Sequence, residues 1–259
     1  MAIDWHSAHM MTRNADSFSK LLHAFVGLYL WEWFNSLDFE YKLITGRHKF
    51  KWPLGDDQVF YFLNRYALLG VCIGFMVFLD TKIEASNCEA MYIFIQAMGS
   101  LSMGLACVNL AIRTIAIWKN DRHVVVVLTV IILGHWALIL RDIPIVRAKW
   151  DGDQGCIFID NEHNLVTGMY VYAMGIDFIV MCLMAYKTGI QLNNRTRLIK
   201  ILVVDGVLYF IIAFLVNLMG VVFSALNLNP IMSVIGVVPA TMISTVSSSF
   251  QSIAAQSSG

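Results

Sequence analysis

The residues of this sequence most able to do chemistry are the ionisable side chains inside its long apolar stretches. They are Glu32, Arg65, Arg113, His135, Asp177 and Asp205. If those stretches are membrane helices, each charge at a helix centre costs about 2.5 to 3.5 kcal/mol on insertion scales, which makes it a candidate for function. Asp177 is the most expensive, because a helix that starts near Leu165 places it about 18 Å along the axis, close to the bilayer midplane.

Two interpretations of Asp177 and His135 remain open from the sequence. Asp177 can contact a proton, a cation or a ligand in an internal cavity, or it can be a protonated or hydrogen-bonded residue that packs helices together. His135 can be a protonation switch near neutral pH or an ordinary hydrogen-bonded histidine. Both are therefore candidate intramembrane sites without an assigned reaction.

The charges near the predicted inner helix ends form a second candidate set. Those expected to share the cytoplasmic half are Glu32, Asp38, Glu40, Arg65, Arg113 and Asp205. Opposite charges within reach of one another offset the cost of removing each from water. The pattern predicts a structural ion-pair network, and a gate or signalling lock would use the same residues.

The composition sets the class of protein in which these residues act. Of the 259 residues, 14% are charged and 58% are hydrophobic, whereas soluble domains carry about 25% charged residues. The 18 basic and 18 acidic residues balance, so the chain lacks the positive excess with which proteins bind nucleic acid. It contains no CxxC pair, HExxH motif or glycine-rich phosphate loop. We therefore expect a membrane protein with no nucleic-acid partner, no metal and no cofactor.

The apolar residues are gathered into segments of roughly the 20 residues that a helix needs to cross a bilayer. These segments are Leu21–Leu37, Val59–Leu79, Met91–Trp118, Val124–Leu140, Leu165–Tyr186, Ile201–Leu226 and Pro230–Phe250. The first is the least apolar, and the last is interrupted by Gly236 and Pro239. The sequence predicts an all-α bundle of seven transmembrane helices over residues 21–250, with a short polar tail at 1–20 and a flexible tail at 251–259.

Basic residues in the short loops predict the orientation of this bundle. The loops at 40–57, 113–122 and 187–200 hold eleven Lys and Arg residues, and the opposite side holds six. Because cytoplasmic loops carry the excess of Lys and Arg, we expect the N-terminus outside and the C-terminus in the cytoplasm. The glycosylation pattern at Asn194–Thr196 then lies on the cytoplasmic side, where it is not used.

The five cysteines divide between predicted helices and outer loops. Cys72, Cys107 and Cys182 lie within helices, where a thiol is expected to be a small apolar packing group. Cys88 and Cys156 both lie on the non-cytoplasmic face, where disulfides persist. We expect these two to form a disulfide bond that holds the long outer loop over the mouth of the bundle.

Several motifs in the first half of the chain resemble a known protein family. They are Trp31-Glu32-Trp33, Leu37, Glu40, Lys51-Trp52, the run Phe62-Leu63-Asn64-Arg65-Tyr66, and Arg113 to Trp118 followed by Arg122. Together they resemble the DUF6533-type family, found in multipass membrane proteins of mushroom-forming fungi, with Glu32 where that family usually has Asp. The resemblance implies a fungal seven-helix membrane protein, and it implies no activity.

A receptor-like or sensory role is favoured among three classes of function. Seven helices, an outside N-terminus and an outer disulfide resemble the general layout of G-protein-coupled receptors. Ile112 precedes Arg113 where those receptors have an acidic residue, so coupling to G proteins is not expected. The sequence has no lysine after Lys200, which disfavours a retinal protein.

The two alternatives use the intramembrane acids directly. One is a membrane-embedded enzyme that protonates a lipid or terpene-like substrate through acids such as Glu32 and Asp177, although no motif spacing requires an enzyme. The other is an ion or proton channel or transporter. For all three, the expected partners are the bilayer of the plasma membrane or an endomembrane, a small apolar or lipid ligand, and a second copy of the chain.

Overall fold

The described part of the chain is mostly helical. The computed structural model describes residues 8–44, 55–80, 88–119, 121–142, 147–151, 155–159 and 163–191, together with scattered positions between 211 and 242. Its helices are α1 (Ala8–Ile44), α2 (Gly55–Asp80), α3 (Cys88–Ile117), α4 (Arg122–Asp142) and α5 (His163–Gln191). Its strands are β1 (Arg147–Asp151) and β2 (Gly155–Ile159).

Four of these helices are long and apolar enough to cross a membrane. The spans are Val59–Asp80, Cys88–Ile117, Arg122–Arg141 and Thr167–Lys187. Each begins and ends within a few residues of a segment expected from the sequence. A bilayer interior offers no water to backbone amides, so even the β-branched run Val124–Val127 is helical, with its hydrogen bonds inside its own segment. The four spans support a membrane-integral protein, as the composition predicts.

α1 is longer and more polar than the expected first crossing at 21–37. It contains 37 residues, so the region expected as a polar tail is helical from position 8. An ion pair between Lys20 Nζ and Asp16 Oδ2 at 2.7 Å stabilises this extension, since residues four apart lie on one helix face. α1 is not among the four candidate spans.

The last two expected helices, 201–226 and 230–250, lie mostly outside the described residues, as do the tail at 251–259 and Asp205. Scattered positions between 211 and 226 are helical. Met242 is buried in one apolar cluster with residues of α1 and α2. The count of seven helices and the orientation of the bundle therefore stay predictions.

A small β-hairpin lies between α4 and α5, which the expected all-α fold does not include. Its two five-residue strands are antiparallel, with Trp150 opposite Cys156. Residues 151–155, Asp-Gly-Asp-Gln-Gly, separate two short runs, which is a hairpin signal that the sequence analysis did not use. β1 also contacts α3, so the hairpin packs against the helical bundle.

α3 is the central helix of the described bundle and contacts α2, α4 and α5. A Cβ added at Gly104 of α3 would lie 3.0 Å from Ile139 Cδ1 of α4. One added at Gly74 of α2 would lie 2.9 Å from Ile95 Cγ1 of α3. Such close packing is a main source of helix association in lipid.

A tight turn joins α3 to α4. Lys119 has a φ of 54°, the left-handed conformation common just after a helix. The carboxylate of Asp121 then accepts a hydrogen bond from the N–H of His123 at 3.0 Å, which caps the first turn of α4. The short connection makes α3 and α4 antiparallel neighbours.

Candidate functional site

A buried arginine on α2 is the centre of the largest polar network in the described part of the chain. Arg65 is 1% exposed. Its Nη1 donates to the hydroxyl of Tyr61 at 2.7 Å, and its Nη2 donates to the carbonyl of Trp33 at 2.8 Å and to the hydroxyl of Ser36. Trp33 and Ser36 belong to α1, so the guanidinium joins two helices.

The carboxylate of Glu40 completes this network. Arg65 Nε lies 2.8 Å from Glu40 Oε1, and both side chains are almost fully buried. Tyr66 donates to the other carboxylate oxygen at 3.3 Å, and Tyr29 of α1 donates to the carbonyl of Arg65 at 2.7 Å. The arginine is thus neutralised by an acid of the neighbouring helix, and both of its terminal nitrogens donate hydrogen bonds to oxygen atoms.

The charged residues that were expected together at the inner helix ends do not all meet in the structure. Glu40 and Arg65 meet, whereas Glu32 is half-buried on α1 and Asp38 is exposed there. Arg113 is half-buried on α3. Because the charge of Arg65 is paired with Glu40 and both terminal nitrogens donate to protein oxygens, the Glu40–Arg65 network is suited to holding two helices together rather than to binding a ligand.

A second polar contact joins α2 to α3. Ser102 of α3 donates to Asn64 Oδ1 at 2.9 Å, and both side chains are buried. Side-chain hydrogen bonds between membrane helices contribute about 0.6 kcal/mol on average. Since Asn64 precedes Arg65, consecutive residues of α2 fix it to α3 and to α1.

Asp177 lies at the middle of α5 and is 6% exposed. The side-chain amide of Asn217, in the sixth expected segment, donates to Asp177 Oδ2. Within the described residues, the partner of this carboxylate is therefore a neutral amide rather than a cation. An intramembrane carboxylate in such a setting can exchange that amide for a proton or for a donor group of a ligand.

His135 of α4 is 0% exposed, and within the described part of the chain neither ring nitrogen has a hydrogen-bond partner. Its ring centroid lies 6.0 Å from that of Tyr172 on α5. Tyr172 donates to the carbonyl of Ile131 at 3.0 Å, an approach that Gly134 permits because it has no Cβ. An unpaired buried polar group costs about 1 to 3 kcal/mol, so a group that pairs with His135 is favoured.

An aromatic cluster joins the last turns of α3 and α5. The indole nitrogen of Trp118 donates to the carbonyl of Leu183 at 3.3 Å, and the ring stacks on Tyr186 with centroids 6.2 Å apart. Lys187 Nζ lies 4.6 Å from the centre of the Trp118 ring. This end of α5 is therefore fixed to α3, directly beside the exposed thiol of Cys182.

The described cysteines differ in state. Cys72 and Cys107 are buried free thiols, and Cys182 is an exposed one. Cys88 is buried at the start of α3 and is disulfide-bonded. The side chain of Cys156 lies outside the described residues, so the pairing of Cys88 with Cys156 stays a prediction.

Sequence reasoning selected Arg65 and Asp177 but missed the neutral groups that hold them. Tyr61 could have been found, because it precedes Arg65 by four residues and shares its helix face. The roles of Ser36 and Asn217 had no comparable signal, since each acts on a helix other than its own.

The described residues contain no candidate metal site, and the comparisons with known proteins assign no family. Among the described residues, no group of three or more His, Cys, Asp or Glu side chains could hold a metal ion. Comparison with protein-family models and with curated proteins finds no match for this chain. Membership of the DUF6533-type family therefore stays a prediction from the motifs around Glu32 and Arg65.

Proposed function

We propose that this chain is a receptor-like, sensory multipass membrane protein whose ligand is a small, largely apolar molecule that enters from the bilayer. The proposed binding region is the interior of α3, α4 and α5, with Asp177 and His135 as its polar contacts. The observation that carries the proposal is the pairing of the buried Asp177 carboxylate with the neutral amide of Asn217.

A sensor needs a contact that its ligand can replace. The Asp177–Asn217 hydrogen bond joins α5 to the sixth expected helix, so a ligand donor that replaces Asn217 changes how those two helices are held. A ligand shifts an equilibrium only by its different affinity for the two states. Here the two states differ in whether Asp177 is paired with the protein or with the ligand, and the ring of His135 offers a second contact.

The proposal includes seven crossing helices, an outside N-terminus, a cytoplasmic C-terminus and a bridge between Cys88 and Cys156. Four apolar spans and the helical positions between 211 and 226 support the helices. Cys88 starts α3, β1 contacts α3, and Cys156 lies in β2 beside β1, which supports the bridge. The DUF6533-type assignment belongs to the same proposal.

The thiol of Cys182 provides a reporter for the test. It is exposed, whereas the other free thiols of the described residues, Cys72 and Cys107, are buried. We would label Cys182 with an environment-sensitive fluorophore, reconstitute the protein in lipid nanodiscs and add the hexane-soluble extract of the cells that express it. We expect a saturable fluorescence change whose apparent affinity falls about tenfold or more in Asp177→Asn, because hydrogen bonds to charged groups contribute about 1.5 to 3 kcal/mol.

Asp38→Asn is the matched control, because it makes the same chemical change at an exposed position of α1. This variant should respond like the wild type. Equal responses in Asp177→Asn and wild type would remove Asp177 from the ligand contact. An ion or proton flux into sealed vesicles that Asp177→Asn abolishes would contradict the sensory role and favour a transporter, and chemical conversion of the extract would favour an enzyme.

A further inference from the structure

The geometry points to α1 as a dependent membrane helix, which stays inserted because Arg65 of α2 pairs with its polar face. The inference rests on the orientation proposed above, with the N-terminus outside. It concerns the first two helices and is independent of the proposed ligand site.

α1 by itself is poorly suited to the bilayer. It is absent from the set of helices that are apolar enough to span, and its second half carries Glu32, Asp38 and Glu40. Acidic residues within a membrane helix strongly disfavour insertion unless they are paired or face a polar interior. Contacts with another helix must therefore offset the cost of placing the polar groups of α1 in the membrane.

α2 supplies that compensation along one face of α1. The α1 residues that bond to Arg65 are Tyr29, Trp33, Ser36 and Glu40, which are spaced by four, three and four positions. This spacing follows one side of an α-helix for three turns. The side chain and the backbone carbonyl of Arg65 thus contact four residues that follow one another along the polar face of α1.

The rest of α1 suits a lipid environment once this face is covered. Leu28, Trp31, Phe34 and Tyr41 are between 63% and 69% exposed. Near the middle of the helix, Leu22 and Val26 pack in one apolar cluster with Leu68 of α2. α1 therefore has large apolar side chains on its outer side, beside the exposed Asp38, and a polar side that matches Arg65.

The dependence is mutual. Arg65 lies six residues from the start of the α2 span, about 9 Å into the membrane. Without α1 its guanidinium would keep Tyr61 of α2 but lose the carboxylate of Glu40. An unpaired charge at that depth is unfavourable, so the two helices stabilise each other's insertion.

Translocation of the N-terminus tests the inference directly. We would add an Asn-X-Thr glycosylation acceptor before Ala8, in an Asn194→Gln background that removes the native acceptor pattern, and express the chain in eukaryotic cells. We expect near-complete modification of this parent chain. In Arg65→Leu the modified fraction should fall by roughly half or more, because Glu40 of α1 loses its partner. Arg65→Leu/Glu40→Leu should recover it, since the double variant has no unpaired Glu40.

Arg141→Leu is the control, because it removes one basic residue at the exposed end of α4 without touching α1. Its modified fraction should match that of the parent chain. A parent chain without modification would contradict the proposed orientation and, with it, this inference. Modification of the parent and Arg65→Leu to the same extent would contradict this inference alone. Since glycosylation records translocation, the readout does not require that the variants fold stably.

Discussion

Between α1 and α2, the buried Arg65 is paired with the carboxylate of Glu40, and both of its terminal nitrogens donate hydrogen bonds. In the interior of α3, α4 and α5, the buried carboxylate of Asp177 contacts a neutral amide, and within the described residues the ring of His135 has no hydrogen-bond partner. Both regions bury ionisable groups in helices, but among the described residues only the first pairs opposite charges. A charge-paired network holds its helices in one arrangement, whereas a buried acid without a cation leaves bonding capacity that a ligand can use.

The largest expected effect is the loss of one partner from the charge-paired region between α1 and α2. Arg65→Leu leaves the buried carboxylate of Glu40 without a cation, which should lower the free energy of unfolding by about 3 to 5 kcal/mol. Arg65→Leu/Glu40→Leu should recover most of this loss, because no charge remains unpaired. Unfolding in a titration with sodium dodecyl sulfate, followed by tryptophan fluorescence, measures both. A loss below about 1 kcal/mol in the single variant would show that the network does not hold α1 to α2.

A smaller effect is expected at the contact between α4 and α5. A Cβ at Gly134 would lie 2.6 Å from the hydroxyl oxygen of Tyr172 and 3.5 Å from its ring carbon Cζ. Gly134→Ala should therefore destabilise the protein by about 1 to 3 kcal/mol through overpacking. In the Tyr172→Phe background the same change should cost much less, because the clashing oxygen is absent. If Gly134→Ala lowers the free energy of unfolding equally in the two backgrounds, in the same assay, the clash does not involve the Tyr172 hydroxyl.

The hydrogen bond between α2 and α3 should matter less again. Ser102→Ala removes the donor to Asn64 and leaves a buried amide oxygen unpaired. We expect a loss of about 0.6 to 1.7 kcal/mol, the range measured for hydrogen bonds between membrane helices. Ser102→Ala/Asn64→Leu removes both partners, so a double-mutant cycle isolates their interaction. A coupling energy of zero would contradict this contact.

The smallest effect is expected at Asp177, in the interior of α3, α4 and α5. Asp177→Asn keeps an oxygen that can accept the hydrogen bond from Asn217 and removes a carboxylate that lacks a cation among the described residues. The free energy of unfolding should change by less than about 1 kcal/mol, in contrast to Arg65→Leu. A loss as large as that of Arg65→Leu would mean that Asp177 is a structural residue and would remove the distinction between the two regions.

Much of this architecture is predictable from local pattern. Four spans end within a few residues of the expected limits, because the length of an apolar run is fixed by the thickness of the bilayer. The extension of α1 beyond 21–37 was not predicted, since a search for apolar length ignores helical turns held by pairs such as Asp16 and Lys20. The β-hairpin at 147–159 was not predicted, since a search for apolar segments long enough to cross a bilayer passes over five-residue strands.

The candidate sites were predictable in part. Arg65, His135 and Asp177 stand out because ionisable residues are rare in apolar runs, and all three are buried. Glu40 was one of several acids that could have met Arg65, and the choice of Glu40 over Glu32 or Asp38 depends on how α1 is rotated against α2.

The sequence by itself determined which segments are apolar and which residues bring charge into them. Those properties depend on residue type and on spacing along one chain. The tertiary structure decided which charge is neutralised and which is not, because that depends on the distance between side chains of different helices. Arg65 reaches a carboxylate within 3 Å and Asp177 reaches an amide, and this difference separates a structural contact from a candidate site of sensing.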